Sequence, residues 1–356
     1  MELSTEDKIK AGILGATGMV GQRFIQLLQD HPWFRVSAVA ASERSSGNKY
    51  GEVVDWMVSE EVPEEVEDLI VQQTEPPLDC DIIFSSLPGN IAGPVEERFA
   101  SSGYPLFTNA KSHRMDQRTP LVIPEVNPDH LDLISFQKNA RGWSEGFIVA
   151  NPNCSAVGLT MALAPLHKEF GLEKVAVTTL QAVSGAGYPG ESSFDMLGNV
   201  VPHIGGEEDK LLTEPKKMLG NLNTDSQSIV DADIDLSATC TRVPVVDGHV
   251  ETVLVSLSET VSIDDVVEAF SGFQPEWADR NLPHAPDRPL VYLDGEDRPQ
   301  PRLDINRGNG MSTSLGRLTR DQVFDFRFVL LSHNTIRGAA GGSVLNAELA
   351  KSRDLI

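Results

Sequence analysis

Three cysteines in 356 residues, Cys80, Cys154 and Cys240, are too few and too odd in number for a disulfide framework. They share no CxxC or Cys/His grouping, so nothing points to a metal site either. Long apolar runs are missing. Stretches such as Phe147 to Ala150 or Val253 to Leu257 fall far short of the ~20 residues that carry a helix across a bilayer. Positive charge is scarce: 29 Lys and Arg stand against 52 Asp and Glu, a formal net charge of −23. Such a surface repels nucleic acid and anionic membranes, and it suits a medium whose salt screens self-repulsion. The first residues, MELSTED, have neither the basic start and apolar run of a signal peptide nor the basic character of a transit peptide. The protein is therefore expected to be cytoplasmic.

What is present is a two-part texture. The length favours two domains. In the first part, short β-rich runs alternate with helical stretches, which predicts βαβ units and a parallel sheet. The strands are expected at Lys8 to Leu14, Phe34 to Ala40, Asp81 to Ser85, Leu106 to Asn109 and Gly146 to Ala150. After Cys154 a helix from about Ser155 to Glu169 precedes longer strands, Lys174 to Val183, Ser237 to Val246, His249 to Glu259 and Val323 to Leu331. These read as a mixed or antiparallel sheet. Asp247-Gly248 predicts a tight hairpin between the middle two, because a two-residue type I′ turn needs positive φ. Pro283 to Pro301 reads as a surface excursion, and the helical segment Arg337 to Lys351 as a return to the first domain. The expected division is 1–153 for a dinucleotide-binding domain of Rossmann type, joined by 334–356, and 154–333 for an α+β substrate and dimerisation domain.

Gly15-Ala16-Thr17-Gly18-Met19-Val20-Gly21 follows a predicted strand and opens an amphipathic helix. Glycines there let the backbone approach a pyrophosphate, and the helix start offers unpaired N–H groups. The spacing is GxxGxxG; the plain alternative is a tight βα turn with no ligand. At the end of the second strand, Ser42, Arg44 and Ser45 can hold a 2′-phosphate by charge-assisted hydrogen bonds, which favours NADP, with Glu43 as counter-evidence. A solvated polar loop is the plain reading of that segment.

Asn151-Pro152-Asn153-Cys154 places a thiol at a helix start, where the dipole and free N–H groups favour thiolate and can cradle an oxyanion. An inert buried cysteine is the alternative, and it is the reading kept for Cys80 and Cys240. Arg242 offers a planar fork for a carboxylate, and His249 a side chain able to take the thiol proton and return one. A surface arginine and a turn histidine are the plain reading of that pair.

The blocks ASERS (Ala41 to Ser45), NAKSHRM (Asn109 to Met115), LVIPEVNP (Leu121 to Pro128), NPNC (Asn151 to Cys154), QAVSGAGYPG (Gln181 to Gly190), GGEEDK (Gly205 to Lys210), Arg242 to His249 and NTIRGAAGG (Asn334 to Gly342) stand in an order that resembles the aspartate-semialdehyde dehydrogenases of archaea and fungi. The resemblance runs over nearly the whole chain. It implies a nucleophile at Cys154, an acid/base at His249, and Gln181 orienting the reacting group. It further implies Arg242 on the substrate carboxylate, Glu207 on its ammonium, and Arg114, Asn153 and Lys210 around phosphate. NADP contacts are expected from Gly15 to Gly21, Ser42, Arg44, Ser45, Ser86 and Asn334. The implied reaction is NADPH-dependent reduction of 4-phosphoaspartate to aspartate semialdehyde through a Cys154 thioester, in a homodimer or homotetramer. Malonyl-CoA reductases share these blocks, but malonyl-CoA has no ammonium for Glu207. N-acetylglutamyl-phosphate reductases usually carry Gly where this chain has Asn153. A catalytically silent NADP-binding sensor is the non-enzymatic alternative. Pro215 departs from the pattern, and it predicts an end or kink in a helix begun near Glu207.

Overall fold

The computed structural model describes residues 7–58 and 61–356. Two six-stranded sheets organise it. The first contains β1 (Ile9–Leu14), β2 (Phe34–Ala41), β3 (Gln72–Gln73), β4 (Ile82–Ser85), β5 (Pro105–Thr108) and β6 (Phe147–Ala150), in the order β3-β2-β1-β4-β5-β6. Every pairing is parallel. This is the doubly wound order, whose direction reverses between β1 and β4, where a crevice opens at the carboxyl ends of the strands. The inner strands are buried on both faces, as β4, with all of Ile82 to Ser85 buried, illustrates.

The second sheet contains β7 (Leu172–Gln181), β10 (Asp235–Arg242), β11 (His249–Leu257), β12 (Leu290–Leu293), β13 (Thr313–Arg320) and β14 (Phe326–Ser332), in the order β10-β7-β11-β14-β13-β12. It is mixed: β10·β7 and β12·β13 are parallel, the other pairs antiparallel. A small pair, β8 (Asn221–Asn223) with β9 (Ser228–Val230), stands apart.

The expected hairpin at Asp247-Gly248 is not formed. β7 lies between β10 and β11 and pairs with both. Pro244 has no N–H to extend β10, and the chain after Arg242 instead folds over the end of β7. There the Val243 N–H donates to the Gln181 carbonyl, and the Val183 N–H to that of Val245. Gly248 does have positive φ, +101°, but its N–H is spent on the Asn334 side chain at 2.9 Å. Pro283 to Pro301 is likewise more than an excursion, since β12 within it forms an edge of the sheet. The helix Glu207–Met218 also continues through Pro215, which is buried within its last turn and a half.

The helix Cys154–Phe170 packs on the second sheet, against β7, β11, β13 and β14, and is buried continuously from Ser155 to Leu166. A helix apolar all round belongs in a core, and this one joins the cluster formed by Val175, Val253, Phe328 and Leu330 of the second sheet. After β14 the chain makes a π-helical turn, Ile336–Ala340, and enters the helix Gly341–Ser352. Val344, Leu345, Ala347 and Leu349 of that helix pack into the core of the first sheet with Phe84, Phe107 and Val149. Arg337, 1 % exposed, anchors the turn by a bidentate pair with the buried Glu125, both bonds 2.7 Å.

Candidate active site

Asn153 ends an extended segment and caps the buried helix. Its Oδ1 accepts the N–H of Ser155 at 3.0 Å and of Ala156 at 3.2 Å. The next residue, Cys154, is thereby presented at the first turn, where a cleft of about 890 Å³ opens between the two halves of the chain. Gly338 lies against its back: a Cβ there would come within 2.8 Å of both Cα and Cβ of Cys154.

His249, the first residue of β11, sets Nε2 3.2 Å from the Cys154 sulfur. Its Nδ1 accepts the Ala182 N–H at 3.0 Å. Burial pushes the Cys154 thiol up to about 12, and the Glu207 carboxylate adds to this while Arg114, Lys210 and Arg242 oppose it. Burial, and then Arg242, push His249 down to about 3. The expectation of a thiolate favoured by its helix is thus corrected. Desolvation outweighs the helix end, and the resting pair is a thiol beside a neutral imidazole.

Glu207, Lys210, Glu214 and Lys217 share one face of the helix Glu207–Met218, at spacings of three, four and three residues. Glu207 pairs with Lys210 and accepts from Asn153 Nδ2 at 2.9 Å and Gln181 Nε2 at 3.4 Å. Burial alone would raise the Glu207 carboxyl. The charge and hydrogen bonds of Lys210, Asn153 and Gln181 outweigh it and hold the group below its ordinary value. Arg114 donates to Glu214 at 3.0 Å and to the Asn109 carbonyl at 2.7 Å. Lys217 donates to the carbonyls of Arg114, Asp116 and Thr119, fastening that loop to the helix. Glu214 and Lys217 are not among the residues expected from the sequence. Their spacing from Glu207 and Lys210 is the signal that could have found them.

Arg114, Asn153, Cys154, Glu207 and Lys210 all line the cleft. Gln181, Arg242 and His249 sit immediately behind, each at most 4 % exposed. Arg242 donates to the Ala182 carbonyl at 2.9 Å, and Gly185 passes over it, where a Cβ would meet both Arg242 and His249. The 183–187 loop therefore screens this pair from the cleft.

The far end of the cleft is built by the glycine-rich turn. Thr17, Gly18, Met19, Val20, Arg44, Ser45, Ser86 and Asn334 line it. Gly15 (φ +76°) makes the turn beneath, with Ser86 so close that a Cβ would come within 2.9 Å of the Ser86 carbonyl oxygen. Gly21 serves packing, since a Cβ there would collide with the Gly15 carbonyl. Ala16 is buried, its carbonyl taken by the Tyr50 hydroxyl at 2.9 Å, and Ser42 is an exposed turn residue whose carbonyl accepts from Ser45. Gly18 caps the helix Met19–Leu28 with no side-chain bond, which leaves N–H groups of the first turn free toward the cleft. These donors, with Arg44 and Ser45 beyond, fit a phosphorylated dinucleotide. Asn334 is held by the Gly248 N–H and by Ser184 Oγ at 2.8 Å.

Among the described residues, one group outside the cleft has metal-ligand composition: His31, His284 and Glu348. His31 Nδ1 accepts the Trp33 and Phe34 N–H groups, so Nε2 carries the proton and donates to Glu348 at 2.7 Å. The group is a buried clasp on the last helix. No helix among the described residues is long and apolar enough to cross a membrane.

A doubly wound nucleotide fold, a second mixed sheet and a Cys/His pair at their junction define an oxidoreductase class with a covalent nucleophile. "Semialdehyde dehydrogenase, NAD binding domain" matches residues 10–134, and "Semialdehyde dehydrogenase, dimerisation domain" matches 163–337. The aspartate-semialdehyde dehydrogenase of Archaeoglobus fulgidus is 49% identical, covering 98% of this chain and 100% of its own. That of Cryptococcus neoformans is 44% identical over 99% and 100%. A crystal structure of the Candida albicans enzyme with NADP superposes with TM-score 0.90 at 41% identity, covering 98% and 100% of the two chains. The chain belongs to the aspartate-semialdehyde dehydrogenase family.

Proposed function

We propose that the protein reduces 4-phospho-L-aspartate to L-aspartate 4-semialdehyde with NADPH, supplying the aspartate-derived amino acids lysine, threonine and methionine. The single observation that carries this reading is the Cys154 thiol, 3.2 Å from His249, opening into a cleft that the glycine-rich turn also lines. The sulfur attacks the acyl carbon, phosphate departs, and a thioester forms. Arg114 and Lys210, both facing the cleft, are the cations for the phosphate, with Asn153 beside them. Arg242 takes the α-carboxylate once the 183–187 loop yields, and Glu207 takes the ammonium in exchange for Lys210. Gln181, bonded to Glu207 and Arg242, orients the carbonyl. When bound, NADPH supplies the hydride. Its 2′-phosphate is assigned to Arg44 and Ser45, with Ser42 at the edge, and its carboxamide to Asn334.

We divide the chain at residue 153: 1–153 with 334–356 carry the cofactor, and 154–333 carry catalysis and assembly. The packing of the last helix into the first core supports this. The subunit pairs with a second copy, a homodimer able to double again, through an apolar face beside the cleft. Tyr188, Phe194, Leu197, Val200 and Val246 are all more than half exposed there. Free cysteines, one of them the nucleophile, suit a reducing cytoplasm.

The deciding experiment supplies aspartate semialdehyde, phosphate and NADP to one sample and malonate semialdehyde, coenzyme A and NADP to another, at several salt concentrations. Turnover in the first alone is expected. Cys154→Ala should abolish it while sparing NADP binding; activity surviving in that variant excludes the thioester.

A further inference from the structure

Behind the wall of the cleft, one carboxylate joins separate pieces of the chain. Glu96, fully buried on the helix Gly89–Ser101, receives the Ser85 and Thr108 hydroxyls on the same oxygen, Oε1, each at 2.6 Å. Its other oxygen stands 3.3 Å from Nε2 of His113, also buried, in the turn Lys111–His113. Ser85 and Thr108 are register partners and the last residues of β4 and β5. Burying a carboxylate is costly compared with an apolar side chain of similar size, so packing alone does not account for one here.

The cleft begins one residue beyond each of these partners. Ser86, after Ser85, lines its cofactor end and donates to the Leu14 carbonyl at 3.1 Å, close against Gly15. Asn109, after Thr108, lines the cleft as well, and its carbonyl accepts from Arg114 at 2.7 Å. Thr108 Oγ1 also accepts the Ala110 N–H at 2.9 Å, which holds the chain as it turns away from β5. Arg114 itself directly follows His113. Glu96 is thus bonded to the end of β4 that leads to Ser86 and faces the turn that leads to Arg114.

We propose that Glu96 is a positioning residue, which keeps the cofactor floor at Ser86 and the phosphate cation Arg114 in fixed relation while touching neither ligand. This rests on the NADP and phosphate assignments above. A carboxylate that merely closed the core would lower stability when lost and leave binding by the folded protein as it was. A positioning carboxylate moves both binding constants and spares the chemical step, since Cys154 and His249 are held by Asn153 and Ala182.

The test is steady-state kinetics with aspartate semialdehyde, NADP and phosphate, well below the unfolding temperature of each variant. Glu96→Ala should raise KM for NADP and KM for phosphate about fivefold or more each, with kcat within about threefold of wild type. Glu96→Gln, which keeps Oε1 for both hydroxyls, should return both KM values to within about twofold of wild type. Phe99→Leu, fully buried in the same helix, is the control for lost packing: it should lower the melting temperature and leave both KM values unchanged. Should Glu96→Ala not fold, Ser85→Ala cuts the bond to β4 alone and should raise KM for NADP about threefold, and KM for phosphate less. The positioning role is overturned by unchanged KM values in Glu96→Ala or in Ser85→Ala, by a rise in only one of them in Glu96→Ala, by an equal rise in Phe99→Leu, or by no recovery in Glu96→Gln. Dissociation constants for NADP and inorganic phosphate, titrated without the aldehyde, should show the same shifts. Found in a protein inert toward aspartate semialdehyde, those shifts would overturn the substrate reading alone.

Discussion

Glu214 accepts the backbone N–H of Asn153 at 2.6 Å on one carboxylate oxygen and holds Arg114 at 3.0 Å on the other. One buried side chain therefore fixes both the turn that presents Cys154 and the Arg114 side chain, the cation proposed above for phosphate. Glu214→Ala should destabilise the fold by about 3–5 kcal/mol, because Arg114 is left buried without its partner. Glu214→Gln keeps an acceptor for Asn153 and should fold better than the Ala variant. Its Arg114, no longer tethered by charge, should give a raised KM for phosphate. Denaturant midpoints and initial rates read the two effects separately. Equal stability of wild type and Glu214→Ala would remove the bridge from the account.

How much of this is legible in the sequence depends on the range of the interaction. Strand–helix alternation and the Gly15 to Gly21 turn are local patterns, and they locate five of the six strands of the first sheet to within a residue or two, while the two-residue edge strand β3 has no such pattern and is not among the expected strands. The Cys154 helix start is local as well. The hairpin expectation fails because Asp247-Gly248 reports turn chemistry, whereas the partners of β10 and β11 are decided by β7, more than fifty residues earlier. Glu125 and Arg337 lie 212 positions apart, and nothing near either announces the other. The state of the thiol escapes the sequence for a related reason. A helix end is visible there, but the desolvation and the Glu207 charge that oppose it come from the packed whole.

Glu207 supplies the second prediction. A carboxylate beside a thiol disfavours its anion, so Glu207→Gln should lower the Cys154 pKa from about 12. At any fixed pH below that value the thiolate fraction rises, about tenfold for each pH unit by which the pKa falls. Alkylation of Cys154 by iodoacetamide should be faster in the variant than in the wild type across the neutral range, and its pH profile should move to lower pH. Turnover should nevertheless fall, since the substrate ammonium loses its partner. Slower alkylation in the variant would contradict the charge argument.

Cofactor choice is assigned to the loop after β2. Arg44 is exposed and lines the cleft; Ser45 beside it is buried. A hydrogen bond to a charged group is worth about 1.5–3 kcal/mol, so Arg44→Ala should raise KM for NADPH about tenfold or more. KM for NADH, which lacks the 2′-phosphate, should change little. Parallel losses with both cofactors would place the 2′-phosphate elsewhere.

Gly338 tests the packing behind the nucleophile. Its N–H is engaged by the His333 carbonyl at 2.9 Å, and backbone-level contact with Cys154 leaves no room for a methyl group. Overpacking of this kind costs about 1–3 kcal/mol, and here relief comes most directly by moving Cys154. Gly338→Ala should therefore lose far more kcat than stability, with NADP binding retained. A variant of full activity would show that the turn Ile336–Ala340 yields instead.

The apolar face next to the cleft carries the last prediction. Phe194 is 93 % exposed and Leu197 75 %, within a segment held to the rest of the fold by the mutual backbone bonds of Val201 and Arg242. Exposed apolar groups this large and this close together are costly in water unless a partner covers them. The second copy proposed above would also close the wall of the cleft, because Ser184, Gly187 and Tyr188 line both the cleft and the apolar hollow beside it. Phe194→Glu with Leu197→Glu should set two like charges against their symmetry mates and remove two anchors, each worth about 2 kcal/mol or more where it is central. Light scattering should then find the 38.7 kDa chain alone where the wild type shows at least twice that mass. Activity should fall with dissociation and return as protein concentration is raised. A wild type that runs as a monomer at micromolar concentration would assign this face to another partner.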